Sequence, residues 1–308
     1  IDWVIESYRR AGRSVVAQEL ALAPELKAEL AFRLHQNSLP ENRSYTYDYY
    51  LDNCSTRVRD ILDLVLRGQL SAATRGQPAS GTLRFHTQRS VSNDPFMYLG
   101  ILAAMGPTVD RPLDQWGEMF LPQAVSDRIA ELTVDDGMGG VRPLVASTTV
   151  LVESDQWPVE ENAPDWTLPL LLIGAAIGGV ILLANRTGVA RRVGITVGTI
   201  WCVFQAVGAV VLIYLGTQTN HVATAGNWNL LLFTPVALLM LPIWLAGRRF
   251  RWGMQVAVLY LLSVVAGALV AWLPMPSPQV MGEIAALMLV PSLAVGIASG
   301  AMRREAIP

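Results

Sequence analysis

The sequence predicts a mostly helical α+β domain followed by an all-α bundle of five transmembrane helices. Three observations predict it. Five long apolar runs fill the second half, arginines gather at alternate ends of those runs, and most other charge lies before residue 166. The runs cover residues 166–184, 193–215, 228–246, 252–273 and 280–301. Each is near the ~20 residues that cross a hydrocarbon core of ~30 Å. Arg186, Arg191 and Arg192 follow the first run, Arg248, Arg249 and Arg251 the third, and Arg303 and Arg304 the fifth. Residues 216–227 and 274–279 hold neither Lys nor Arg. The positive-inside bias therefore predicts cytoplasmic arginine loops and C-terminus, with residues 1–165, His221 and Pro276 outside. The expected organisation is an outer domain over 1–154, a linker over 155–165 and a membrane domain over 166–308.

The 308 residues are 52% hydrophobic and 16% charged, which is too apolar for an average soluble chain. A net charge of −2 gives no electrostatic case for nucleic acid as a partner. No metal or cofactor motif is visible, and none is expected. The sequence opens on Ile1 with no charged and apolar export segment, although its first half is predicted to be exported. A missing N-terminus is the expectation.

Within the outer domain, residues 24–36 form an amphipathic pattern with Leu26, Leu30 and Leu34 on one stripe, stopped by Leu39-Pro40-Glu41-Asn42. The aromatic stretch 45–51 suits a short strand or extended segment. Asp52-Asn53-Cys54-Ser55 then carries N-cap chemistry, and Val58, Ile61, Leu62 and Val65 at helical spacing predict a helix ending near Gly68. Residues 69–81, rich in Ser, Ala, Gly and Pro, predict a loop. An apolar segment over 97–105 ends at Gly106-Pro107, a short helix with Trp116 and Phe120 is expected over 113–121, and a strand over 148–152. Pro158 and Pro164 mark the linker.

Cys54 is the leading candidate for chemistry. The second cysteine, Cys202, falls mid-way along the second apolar run, so pairing the two would put a soluble loop at bilayer depth. A free thiol outside the cytoplasm at a helix start, with Arg57 and Arg59 in the first turn, suits a nucleophile. The competing reading is an inert buried cysteine or one paired with a cysteine upstream of Ile1. Three histidines compete for the role of base. His35 ends a helix and suits a surface or capping position; His86 suits a buried structural one. His221 shares its predicted outer loop with Asn227 and Asn229, which are able to donate to an oxyanion or a lipid headgroup. Helix capping and an interfacial Trp228 explain the same loop without catalysis. Glu283 is the one acid inside the runs, either functional or close enough to the outer end to reach water.

The string Tyr45-Thr46-Tyr47-Asp48-Tyr49-Tyr50-Leu51-Asp52-Asn53-Cys54-Ser55-Thr56-Arg57-Val58-Arg59-Asp60 resembles the Lnb-type N-terminal periplasmic domain family. Similarity extends through Glu41-Asn42-Arg43, Thr82-Leu83-Arg84, Asp110-Arg111-Pro112, Trp116 and Met119-Phe120-Leu121-Pro122. Asn220-His221, Asn227-Trp228-Asn229-Leu230-Leu231 and Pro235 look like the family's membrane portion. The resemblance implies a papain-like fold, in plain or circularly permuted form, and N-acylation of bacterial lipoproteins at the inner membrane. It makes Cys54 the acyl-accepting nucleophile. A His-containing stretch expected ahead of that cysteine has no counterpart after Ile1.

Together these parts predict an acyl group passing from phospholipid through a Cys54 thioester to the amine of a lipoprotein. His221 is the favoured base, and Asn53, Arg57, Asn227 and Asn229 are the candidate substrate or oxyanion contacts. Arg57 has an equal alternative role in an ion pair that supports the fold, and Asp110 and Arg111 are expected to be structural. Two rival classes stay open: a membrane-anchored papain-like hydrolase of the cell envelope, and a non-enzymatic envelope assembly protein.

Overall fold

The computed structural model describes residues 1–135, 140–154, 161–246, 252–274 and 279–304, without the side chains of 245, 246 and 300–304. Arg248, Arg249, Arg251, Pro276 and most of the expected linker lie outside the described residues. The chain is mostly helical. It runs α1 (Asp2–Arg10), β1 (Val15–Leu20), α2 (Pro24–Ser38), α3 (Cys54–Val65), α4 (Gln69–Thr74), β2 (Pro78–Thr82), α5 (Leu83–Ser90) and α6 (Pro95–Ala104). Then follow β3 (Pro112–Asp114), α7 (Gln115–Glu118), α8 (Pro122–Glu131), β4 (Thr133–Asp135), β5 (Val141–Pro143) and β6 (Val145–Val152). The last five α-helices are α9 (Thr167–Leu182), α10 (Gly188–Gln218), α11 (Val236–Ala246), α12 (Gly253–Trp272) and α13 (Gly282–Arg304).

Two compact units result, and they interleave along the chain. The first is Ile1–Leu83 with Pro112–Val159; the second is Arg84–Arg111 with Glu160–Pro308. The expected division at 154–166 thus differs from the compact units, because residues 84–111 pack with the apolar helices.

In the first unit the strands among the described residues form three antiparallel pairs, β1 with β6, β2 with β3 and β4 with β5. Leu62, Leu66, Leu70, Met119, Val125, Ile129 and Leu144 make the core. Of the stripe expected on α3, Ile61, Leu62 and Val65 are buried while Val58 is half exposed. Helix α2 begins on Pro24, whose missing N–H is needed by no helical carbonyl at that position. Glu29 accepts from Arg33 (2.7 Å) and from Arg67 (2.5 Å), joining α2 to the end of α3. The stretch 69–81 is not the expected loop. Leu70 is fully buried and anchors α4, and Pro78 and Thr82 stand opposite Asp114 and Pro112 in the β2–β3 pair.

Among its described residues the second unit contains five segments long and apolar enough to cross a membrane: Thr167–Asn185, Gly188–Gln218, Val222–Trp244, Gly253–Trp272 and Gly282–Ser299. Gly174 and Gly178 let α9 press against α13. A Cβ at Gly174 would stand 2.6 Å from the Leu287 carbonyl oxygen, and one at Gly178 would stand 3.1 Å from that of Val290. Such small-residue spacing substitutes close backbone packing for the hydrophobic effect that lipid removes.

The third span is broken, where the sequence predicts one continuous run over 228–246. A 3-10 turn at Trp228–Leu231 stops, and α11 begins only at Val236. Pro235 supplies no N–H, which ends the ladder there. The freed carbonyls find side chains: Ser263 Oγ donates to Leu231 (2.9 Å) and Gln205 Nε2 to Leu232 (2.8 Å). Gln205 Oε1 in turn accepts from Tyr260 (2.5 Å), and Ser292 Oγ from Trp201 (3.2 Å) and Gln205 (3.1 Å). Irregular backbone at membrane depth is tolerated only when protein satisfies it in this way.

Candidate functional site

Cys54 is the first residue of α3, exposed and free. Its surroundings are built almost entirely by its neighbours. Asp48 Oδ1 accepts from the N–H groups of Tyr50 and Leu51 (both 2.9 Å), and Asp48 and Asp52 exchange backbone hydrogen bonds of 3.0 and 3.1 Å. Of the stretch 45–51, expected as a short strand or extended segment, residues from Asp48 on instead form a turn closed by the Asp48–Asp52 bridge. Tyr50 stacks edge-on against Tyr49 (4.9 Å between centroids) and Phe120 (5.3 Å).

Asn53 caps the helix. Its Oδ1 accepts from the N–H groups of Ser55 (2.8 Å) and Thr56 (2.9 Å), and its own N–H donates to Thr56 Oγ1 (2.8 Å). This reciprocal capping box satisfies donors that a helix start otherwise leaves open. Asn53 Nδ2 donates to the carbonyls of Tyr49 (2.8 Å) and Phe120 (2.9 Å), so both of its protons are engaged within the fold.

The two arginines are also engaged. Arg57 forks onto Asp52 at 2.5 and 2.8 Å and lies 4.1 Å over the Tyr45 ring. Arg59 donates to Asp60 (2.7 Å) and to the Trp116 carbonyl (3.0 Å), and stacks on the Trp116 ring at 4.1 Å. Their positive charge is thus offset by two acids. Burial and the adjacent Cys54 push the Tyr47 phenol above its ordinary pKa, and burial does the same to Tyr49. A depression of about 500 Å³ between α2 and α3 takes Asp52, Arg57, Phe32 and Leu51 into its walls.

The second unit carries a separate polar cluster. Arg84 is 1% exposed and pairs with Asp110 at 2.6 and 2.9 Å. Its other protons go to the carbonyls of Leu102 (3.2 Å), Met105 (3.0 Å) and Gly106 (3.0 Å), closing the end of α6. Burial pushes the Asp110 carboxyl above its usual range, with Arg84 opposing. Asn227 and Asn229 both donate to the Ala103 carbonyl, at 2.7 and 2.9 Å. Gln279 Nε2 donates to Asn227 Oδ1 (2.8 Å) and to the Met105 carbonyl (3.0 Å). Glu283 is buried and accepts from Tyr98 Oη (2.8 Å) and the Trp166 N–H (2.6 Å). That carboxylate faces the start of α9, where the helix dipole favours it.

The Lnb N-terminal periplasmic domain model matches residues 1–93, and the Lnb transmembrane domain model matches residues 161–303. The chain matches both Lnb domain families. It is accordingly an inner-membrane protein with a periplasmic domain and five transmembrane segments. No curated protein and no solved structure matches it. Residues 94–160 fall outside both matches, although the resemblance read from sequence extends to Pro122 and α6 supplies part of the second unit.

Against the Lnb periplasmic match, Asn53, Cys54 and Arg57 come together at the start of α3. Asn227 and Asn229 come together in the Lnb transmembrane part, but with their amide protons committed to α6. His221 belongs to the same unit, exposed, with its carbonyl accepting from Thr224 Oγ1 (3.0 Å). His35 is exposed at the end of α2, and His86 is 2% exposed within α5. Sequence reasoning missed Arg84, Gln279 and the Gln205–Tyr260–Ser292 network. For Arg84 the signal was present in the motif Thr82-Leu83-Arg84, and its partner Asp110 in Asp110-Arg111-Pro112.

Proposed function

We propose that the protein is a membrane-bound acyltransferase that moves a fatty acyl group from phospholipid to the N-terminal amine of a lipoprotein. The observation that carries the reading is a free, exposed cysteine at the first position of a helix N-capped by Asn53, in a protein whose other half is a lipid-embedded bundle. Cys54 Sγ attacks an ester carbonyl of the donor, the ester C–O bond breaks, and the lysophospholipid hydroxyl leaves with a proton. The acceptor amine then attacks the thioester, the C–S bond breaks, and the amine proton passes to a base. Splitting one transfer into two steps is the ordinary gain of covalent catalysis. The oxyanion donor in this reading is the Cys54 backbone N–H, since the Asn53 amide is committed elsewhere. His221 is the base we propose, on its sequence context and exposure. A papain-like fold for the first unit belongs to the same reading.

The test is thioester trapping on the full-length protein with labelled phospholipid, followed by mass measurement of a lipoprotein's N-terminal peptide. Wild type is expected to carry the acyl mass on Cys54, and Cys54→Ala to carry none while remaining folded and inserted. A protein that forms no thioester, and whose deletion leaves lipoprotein N-termini unchanged, would sink acyl transfer. Release of free fatty acid or cleaved peptide without transfer to an amine would establish the hydrolase instead.

A further inference from the structure

The second unit holds an apolar groove of about 470 Å³ between α6, α10 and the start of α13. Gly100 and Ala103 of α6, Phe204 and Leu212 of α10, Phe233 and Ile284 line it. From Leu212 to Phe204 the wall is eight residues of helix, ~12 Å at 1.5 Å per residue, and Leu212 stands ~9 Å from the helix end at Gln218. The groove therefore runs ~12 Å along a helix of 31 residues, ~46 Å, which is longer than a hydrocarbon core of ~30 Å.

Its other wall is unusual. Helix α6 has 10 residues, too few to cross a bilayer, yet is apolar throughout. It buries Tyr98 and Leu102 among the spanning helices and leaves Phe96 90% exposed. One face of this helix thus lies on protein while the other is open. Its last turn ends in polar groups: Ala103, which lines the groove, gives its carbonyl to Asn227 and Asn229. The slot is carbon-lined along its length, which suits a hydrocarbon chain.

We propose that this groove binds one acyl chain of a glycerophospholipid, aligned along α10. The bilayer in which the five spans sit supplies that occupant. The inference stands on the membrane character of this unit and holds whether or not Cys54 transfers the chain. Gly100 offers a way to block it, because a Cβ there would meet no atom within 4 Å. A Gly208 substitution would instead drive a Cβ to 2.2 Å from the Phe233 ring and disturb the packing.

The experiment places the full-length protein in vesicles of phosphatidylethanolamine and phosphatidylglycerol, with tracer phosphatidylethanolamine bearing a mid-chain diazirine. After irradiation, adducts are mapped by peptide mass. We expect several-fold more adduct on residues 99–104 and 204–212 than on Leu259 and Leu262, which are exposed on α12. Gly100→Leu should reduce the groove adducts about ten-fold, equivalent to about 1.4 kcal/mol, and leave the α12 adducts unchanged. Gly179→Leu, an equally open glycine of α9 outside the groove, should change neither. Equal labelling of groove and α12, or groove labelling that survives Gly100→Leu in a protein with normal α12 labelling, overturns the proposal. So does crosslinking of the groove to a second protein chain in place of lipid. Groove labelling without any Cys54 thioester would uphold this inference and sink acyl transfer, so the two failures are distinguishable.

Discussion

The helix start at Cys54 and the polar cluster around Arg84 and Asn227 are both rich in hydrogen bonds, yet they are assembled over opposite ranges of sequence. Around Cys54, Asp48, Asp52, Asn53, Thr56 and Arg57 find most of their partners within five residues. Around Arg84 the bonds span 26 residues to Asp110, 124 from Asn227 to Ala103 and 185 from Tyr98 to Glu283. A locally built site can hold its reactive group exposed, because its geometry survives contact with water. A remotely built one must be buried to persist, and its groups are then occupied with each other. The proposed acyl transfer places its chemistry at the first cluster and leaves architecture to the second.

The sharpest way to break that contrast is at Arg84. Arg84→Met would leave the Asp110 carboxylate buried without its ion pair and would take one donor from each of the Leu102, Met105 and Gly106 carbonyls. Losing one partner of a buried pair costs about 3–5 kcal/mol. Unfolding of the detergent-solubilised protein should show that loss, and Arg84→Met with Asp110→Asn should recover part of it. Single effects that add within about 0.5 kcal/mol would mean the two residues do not act as a pair, and the architectural assignment would fail.

Legibility follows the same division of range. The five spans and the Asn53 cap were readable because hydropathy and capping are local signals. The break at 232–235 was hidden inside an apolar run, with Pro235 as its one visible mark, since nothing nearby announces that Gln205 and Ser263 will take the freed carbonyls. Helix α4 was masked by its Ser and Ala content; what fixes it is Leu70 meeting a core that arrives from residues 119–144. Glu283 was noticed as an acid in a span, but its partners Tyr98 and Trp166 are remote. Arg84 carried a family motif and no local reason for it.

His221 tests the assignment of chemistry from the other side. If it is the base, His221→Ala should slow transfer by about 10²-fold or more, the scale of general base catalysis. Its exposed side chain predicts no accompanying loss of stability. Single-turnover acyl transfer together with thermal unfolding separates the two, and an unchanged rate would place the base elsewhere.

Asn53→Ala should cost about 0.5–2 kcal/mol, the range for losing an N-cap. Hydrogen exchange in the first turn of α3 should quicken at the Ser55 and Thr56 amides, which lose their acceptor. If the thioester still formed at the wild-type rate with that turn frayed, the local cap would not be what positions Cys54.

Arg57 carries the smallest expected effect, and the most informative if it is exceeded. Its guanidinium is already forked onto Asp52, and both side chains are well exposed, 45% and 38%. Exposed pairs of this kind contribute about 0–1 kcal/mol. Holding a donor phosphate would require Asp52 to release the same protons, exchanging one anion for another with little net gain. Arg57→Ala should therefore leave unfolding within about 1 kcal/mol of wild type and thioester formation nearly unchanged. The measurement is thioester formation across a range of donor concentrations, compared with Asp52→Asn, which frees the guanidinium. A loss of about 10²-fold in Arg57→Ala, the scale of one oxyanion donor, would show that the Asp52 pair opens when substrate arrives. The Cys54 helix start would then be a site remodelled on binding instead of one built by its neighbours beforehand.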